Sequence, residues 1–157
     1  MKRMVVCFAV LISLLACSDG NGKKVSNEIL SKLEKVSGKK TDQYKAILFV
    51  PSEGCGGCIT AAEDFMIHSY AGKNKKGIYL FVVTGHSSSK SARIRLGPEV
   101  MANEDFYFDY DHNFDRPPFM SEYPKMFLMA NGNVVSEQEI KPGTSDNIYK
   151  ELAKKIE

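Results

Sequence analysis

The stretch that most restricts the fold is Ala46-Ile47-Leu48-Phe49-Val50, five apolar residues running almost directly into Glu53-Gly54-Cys55-Gly56-Gly57-Cys58. A short, unbroken apolar run of this kind is the pattern of a strand buried on both faces, which implies a sheet covered on each side. From Cys58 the period changes. Ile59, Ala62, Phe65 and Met66 fall on one helical face, with Glu63 and Asp64 on the other. Two cysteines three apart therefore sit at a strand-to-helix junction. Redox exchange, metal binding and a structural staple all remain open for them at this level.

The N-terminus is read separately. Lys2 and Arg3 precede an apolar run from Met4 to Leu15 interrupted only by Ser13. That is too short to span a bilayer, which takes roughly 20 residues, and has the layout of a signal peptide over residues 1–16. Leu14-Leu15-Ala16-Cys17 resembles a bacterial lipobox, which implies lipidation of Cys17 and a membrane anchor made of acyl chains. Residues 17–24 read as a polar tether and residues 25–157 as one domain. The expected location is the bacterial cell envelope, facing the periplasm or the extracytoplasmic side.

Processing alters two counts. The whole chain has 21 Lys+Arg against 19 Asp+Glu, and loss of Lys2 and Arg3 makes the two equal. A neutral chain gives no electrostatic basis for nucleic-acid binding. Of the 4 cysteines, Cys7 leaves with the leader and Cys17 carries lipid. Cys55 and Cys58 are then the remaining thiols, in a compartment that permits disulfides.

The rest of the domain alternates. Ile29, Leu30, Leu33 and Val36 suggest a helix over Val25–Val36, with Ser26 as its cap and Gly38 as its stop. Ile78–Thr84 reads as a second buried strand, Ser87–Leu96 as a short helix ended by Gly97-Pro98, and Phe106–Phe108 as a short strand before an acidic, solvated bend. Arg116-Pro117-Pro118 reads as a loop. Lys125–Ala130, the Asn131-Gly132-Asn133 turn and Val134–Ile140 form a hairpin. A last helix capped by Thr144 presents Ile148, Leu152 and Ile156. This order implies a sheet with parallel crossovers and helices on both faces.

With these residues in place the chain resembles the thioredoxin superfamily, most closely its exported, membrane-tethered TlpA/ResA-like lipoproteins. Two motifs carry the likeness. One is strand–Gly54-Cys55-Gly56-Gly57-Cys58–helix. The other is Glu122-Tyr123-Pro124-Lys125-Met126-Phe127-Leu128 with the turn that follows. The resemblance implies an α/β fold, a thioredoxin-like three-layer α/β/α sandwich whose central mixed sheet closes with an antiparallel hairpin. It implies thiol–disulfide exchange with Cys55 as nucleophile, Cys58 as resolving thiol, Pro124 as a cis-proline facing them and Tyr123 as a substrate contact. No cofactor is called for. Partners would be protein thiols and disulfides and a membrane or periplasmic redox protein.

Three positions depart from the family. Gly54 replaces the usual Trp, Phe49 stands where a buried acid is found, and Tyr123 is bulkier than the usual Thr, Ile or Val. Glu53 and the Gly56-Gly57 dipeptide favour a pair that is not strongly oxidising. Two other readings stay open. One is a copper or zinc carrier built from Cys55, Cys58 and one of His68, His86 or His112, with Met120, Met126 and Met129 as weaker candidates. The other is a non-catalytic interaction module.

Overall fold

The computed structural model of the chain describes residues 20–116, 119 and 121–156, with side chains from residue 27 onward. The leader, Cys17, Pro117, Pro118 and Met120 lie outside the described residues. Helix α1 spans Gly20–Ser37, β1 Ala46–Pro51, α2 Gly56–Asp64, β2 Tyr79–Thr84, α3 Ser89–Ala102, β3 Phe106–Asp109, β4 Lys125–Ala130, β5 Asn133–Glu139 and α4 Ser145–Lys154. The five strands form one sheet in the order β3-β2-β1-β4-β5. β1 and β2 run parallel, as do β2 and β3, whereas β4 is antiparallel to both β1 and β5. This is the expected thioredoxin-like α/β/α sandwich.

The apolar runs behave as their patterns require. Ala46 to Val50 and Tyr79 to Val83 are buried throughout, because β1 and β2 lie inside the sheet and are covered on both faces. Ile29, Leu30 and Leu33 of α1 pack on one face, against Ile47, Phe49, Leu80, Val82 and Phe127. Ala62 of α2, Leu96 and Val100 of α3 and Leu152 of α4 cover the other face, over Leu48, Val50, Phe81 and Val83. At the hairpin, Asn131 and Gly132 both take positive φ, 52° and 74°, as a tight two-residue turn demands.

Several local expectations need correction. α1 begins at Gly20, so Ser26 lies inside it and the expected tether is partly helical. Gly97-Pro98 does break α3, with Gly97 at φ 83° outside helical geometry, but Pro98 starts a second helical piece that runs to Ala102. Thr144 stands at the start of α4 without capping it, its hydroxyl donating to the Lys141 carbonyl instead. Asp109 is buried rather than solvated. Its carboxylate accepts from the N–H groups of Asn113 (3.0 Å) and Phe114 (2.7 Å) and so folds the bend back onto β3.

Beyond Asp64 the helix widens into a π-helical segment, Phe65–Ala71, closed by the Gly72 N–H to Ile67 carbonyl bond of 2.8 Å. It places Tyr70 fully inside. The Tyr70 hydroxyl donates to Asp105 Oδ2 at 2.6 Å and accepts from the N–H groups of Tyr79 (3.1 Å) and Ile78 (3.2 Å). Asp105 also accepts from the Gly77 N–H at 2.5 Å. One buried phenol thus ties the end of the helix to the start of β2 and to the residue that leads into β3. Burial, reinforced by Asp105, pushes its pKa well up, so it stays protonated as a donor. Among the described residues no helix is long and apolar enough to cross a membrane.

Tyr70→Phe is expected to destabilise the domain by about 2–3 kcal/mol in urea denaturation, since it removes the acceptor of the Tyr79 and Ile78 N–H groups and takes from Asp105 Oδ2 one of its two donors. A loss under about 0.5 kcal/mol would show that this node does not hold the strands.

Candidate active site

The site is built where β1 runs out. After Pro51 the Ser52 N–H still bonds the Thr84 carbonyl at 3.0 Å, continuing the β1–β2 ladder by one residue. The chain then turns through Gly54 and reaches Cys55, which stands immediately before the first residue of α2 in an extended conformation (φ −67°, ψ 94°). The Cys55 carbonyl accepts the first helical bond, from Ile59 N–H at 2.9 Å. The N–H groups of Gly56 and Gly57, which bond no acceptor among the described residues, therefore open at the sulfur end of the helix, where they favour an anion.

Cys55 and Cys58 form a disulfide, with their Cα atoms 5.3 Å apart. The two sulfurs have different surroundings. Cys55 is half-buried, flanked by the exposed Gly54, Gly56 and Gly57, whereas Cys58 is only 2% exposed. A side chain added at Gly56 or Gly57 would meet nothing within 4 Å, so the approach beside the disulfide is open.

Facing the pair is the loop that feeds β4. Glu122 accepts the Cys55 N–H on its carbonyl at 2.8 Å. Tyr123 is half-exposed and Pro124 is buried, with its carbonyl taken by the Ile140 N–H at 2.7 Å. The backbone hydrogen bond from Cys55 to Glu122 thus joins the turn that carries the two cysteines to the loop that carries Tyr123 and Pro124.

Two of the departures from the thioredoxin pattern, Gly54 and Phe49, have physical explanations here. Gly54 adopts φ 133°, a region closed to L side chains, and a methyl group on it would overlap the Glu122 backbone. Glycine is what lets the Glu122 carbonyl come close enough to take the Cys55 N–H. Phe49 is filled in rather than replaced by another acid: its ring packs edge-on against Phe114 (5.4 Å) and Phe127 (5.6 Å).

Polar groups approach the loop from α3 instead. Arg95 reaches Glu63 of α2 (2.6 Å) and donates to the Ser52 carbonyl (3.3 Å), so one guanidinium touches the chain before and after the disulfide. Burial raises the Glu63 pKa, with Arg95 opposing the rise. His86, in the loop after β2, is 6% exposed, and its Nε2 has no hydrogen-bond partner among the described residues. Burial and then the charge of Arg95 push its pKa down, leaving the ring neutral near neutral pH.

The histidines do not join the sulfurs. His68 lies exposed on the π-helical segment, and His112 pairs with Asp115 at 2.5 Å in the bend after β3. Among the described residues no three His, Cys, Asp or Glu side chains converge to hold a metal ion. Met126 is buried in the core, and Met129 packs at its edge.

Sequence reasoning missed Gly54 as the point of close approach, Glu122 as the acceptor and Arg95 as the bridge. Only the first left a signal, as a glycine standing where the family carries its largest side chain. Gly54→Ala should cost on the order of 2 kcal/mol through backbone strain and the Glu122 overlap. The check is thermal unfolding of the oxidised domain, with exchange of the Cys55 amide proton as a local probe, and an unshifted midpoint with a protected amide would contradict it. No protein-family model matches the chain, and no curated protein matches it.

Proposed function

We propose that this protein is a thiol–disulfide oxidoreductase of the exported, TlpA/ResA-like kind, held at a membrane by lipid on Cys17. The observation that carries the reading is the unequal burial of a bonded Cys-x-x-Cys pair at a helix N-terminus, facing a proline loop in a thioredoxin-like fold. An exchange reaction needs one sulfur that a partner can reach and one held in reserve.

In the reducing direction, Cys55 reacts as the thiolate, favoured by the unpaired N–H groups at the start of α2. Its sulfur attacks one sulfur of a substrate disulfide. A Cys55–substrate bond forms, the substrate S–S bond breaks, and the departing sulfur leaves as a thiolate that takes up a proton. The Cys58 thiolate then attacks Cys55, forms the intramolecular disulfide and releases the second substrate thiol. Two electrons pass to the substrate, and the oxidised pair is restored by a dithiol donor, a redox protein of the membrane or periplasm. Running the steps backwards oxidises a substrate dithiol. Pro124 has no N–H of its own and so presents a surface rather than a donor to the sulfurs. Protein disulfides are the expected substrates, because the open glycine side of Cys55 admits a chain.

The lipid anchor rests on the Leu14–Cys17 motif and the leader before it. Acyl chains would hold the domain at a bilayer surface through buried methylene groups, each adding about 0.8 kcal/mol.

The test is a trap. With Cys58→Ser, the mixed disulfide on Cys55 has no resolving thiol and should accumulate with exported proteins on non-reducing gels. Cys55→Ser should trap nothing and lower insulin reduction at least 100-fold. A Cys58→Ser domain that captures no partner, together with a wild type that reduces no model disulfide, would overturn the assignment. Independently, Cys17→Ala should abolish incorporation of labelled fatty acid; retained label would remove the anchor from the proposal.

A further inference from the structure

The Pro124 loop is held by side chains that the exchange chemistry does not itself use. Ser121 Oγ accepts the Tyr123 N–H at 3.1 Å and donates to Glu139 Oε1 at 2.9 Å. The other Glu139 oxygen pairs with Lys141 Nζ at 3.0 Å. The same ammonium lies 5.4 Å from the centre of the Tyr123 ring, within cation–π range. The chain of contacts therefore leaves Tyr123 by its backbone and returns to it at its ring. It spans the loop, the last residue of β5 and the turn after it. Lys141 and the Ser121 hydroxyl hold the Glu139 pKa down, so its carboxylate is ionised at neutral pH and the contacts are charge-assisted.

These contacts alter what the loop can offer a partner. Pro124 has no N–H, the Tyr123 N–H is taken by Ser121, and the Cys55 N–H is taken by Glu122. A peptide lying across Cys55 finds no free backbone donor on these three residues. What remains on the loop side is the half-exposed Tyr123 ring, an apolar face in a set orientation. Tyr123 also lines a narrow cleft with Phe49, Pro51 and Phe119.

We propose that Ser121, Glu139 and Lys141 are positioning residues that fix Tyr123 as a side-chain docking surface for peptide disulfides. The proposal rests on the thiol–disulfide reading and adds how a substrate chain is held. Bound this way, a substrate is selected by the apolar side chains next to its cysteine. A small disulfide without side chains gains nothing from the ring.

The experiment compares two substrates on the full domain: a peptide disulfide with Phe beside its cysteine, and bis(2-hydroxyethyl) disulfide. Ser121→Ala and Lys141→Gln should each raise KM for the peptide about 5–10-fold, with kcat within twofold and the small disulfide reduced at the wild-type rate. Ser121→Thr keeps the hydroxyl and should restore the peptide KM. Lys141 is exposed, so its variant carries the test even if Ser121→Ala fails to fold. An unchanged peptide KM in Lys141→Gln, or an equal loss on both substrates, overturns the proposal. A wild type that reduces neither substrate would instead remove the thiol–disulfide reading beneath it.

Discussion

The hydrogen bond from the Cys55 N–H to the Glu122 carbonyl joins segments 67 residues apart in the chain. On one side is the turn between the central parallel strand and its helix. On the other is the loop that begins the antiparallel half of the sheet. Without that bond the cysteine pair would be a helix start on an exposed corner, and Pro124 would be an ordinary loop residue. Its length of 2.8 Å depends on Gly54, because any side chain there would occupy the place of the Glu122 backbone. The absence of the bulky residue usual before the first cysteine is thus matched to the way the two loops meet.

The sheet makes this meeting possible. β1 is the one strand paired in parallel on one side and antiparallel on the other. Its C-terminal end therefore lies next to the beginning of β4, and both loops arrive at the same edge. The helix that starts there buries Cys58 while its first turn leaves Cys55 accessible. Exposure of one sulfur and burial of the other follow from helical geometry on a covered sheet, with no special device.

Much of this was legible beforehand because burial on both faces leaves a local mark. The apolar runs of β1 and β2, the Asn131-Gly132 turn and the helical spacing of Ile59, Ala62, Phe65 and Met66 each reflect an environment that is uniform along a short segment. What escaped depends on partners distant in sequence. Asp109 looks like one more acid in a polar bend until its carboxylate is seen to fold Asn113 and Phe114 back onto β3. Arg95 is one of several cations on a polar helix, and only the packing of α3 against α2 brings it to Glu63 and Ser52. Gly97-Pro98 reads as a stop, yet glycine at positive φ followed by proline can also restart a helix in a new direction.

The π-helical segment sets a limit on how this protein can vary. An α-helix turns 100° per residue, and a π-helical turn accommodates an extra residue without changing what lies beyond it. Deleting one residue between Phe65 and Ala71 would let the segment relax into ordinary α-helix, but would swing the phenol of Tyr70 out of the interior and away from Asp105. Homologous chains should therefore keep the number of residues between Cys58 and Tyr70 constant, even where little else in the segment is the same.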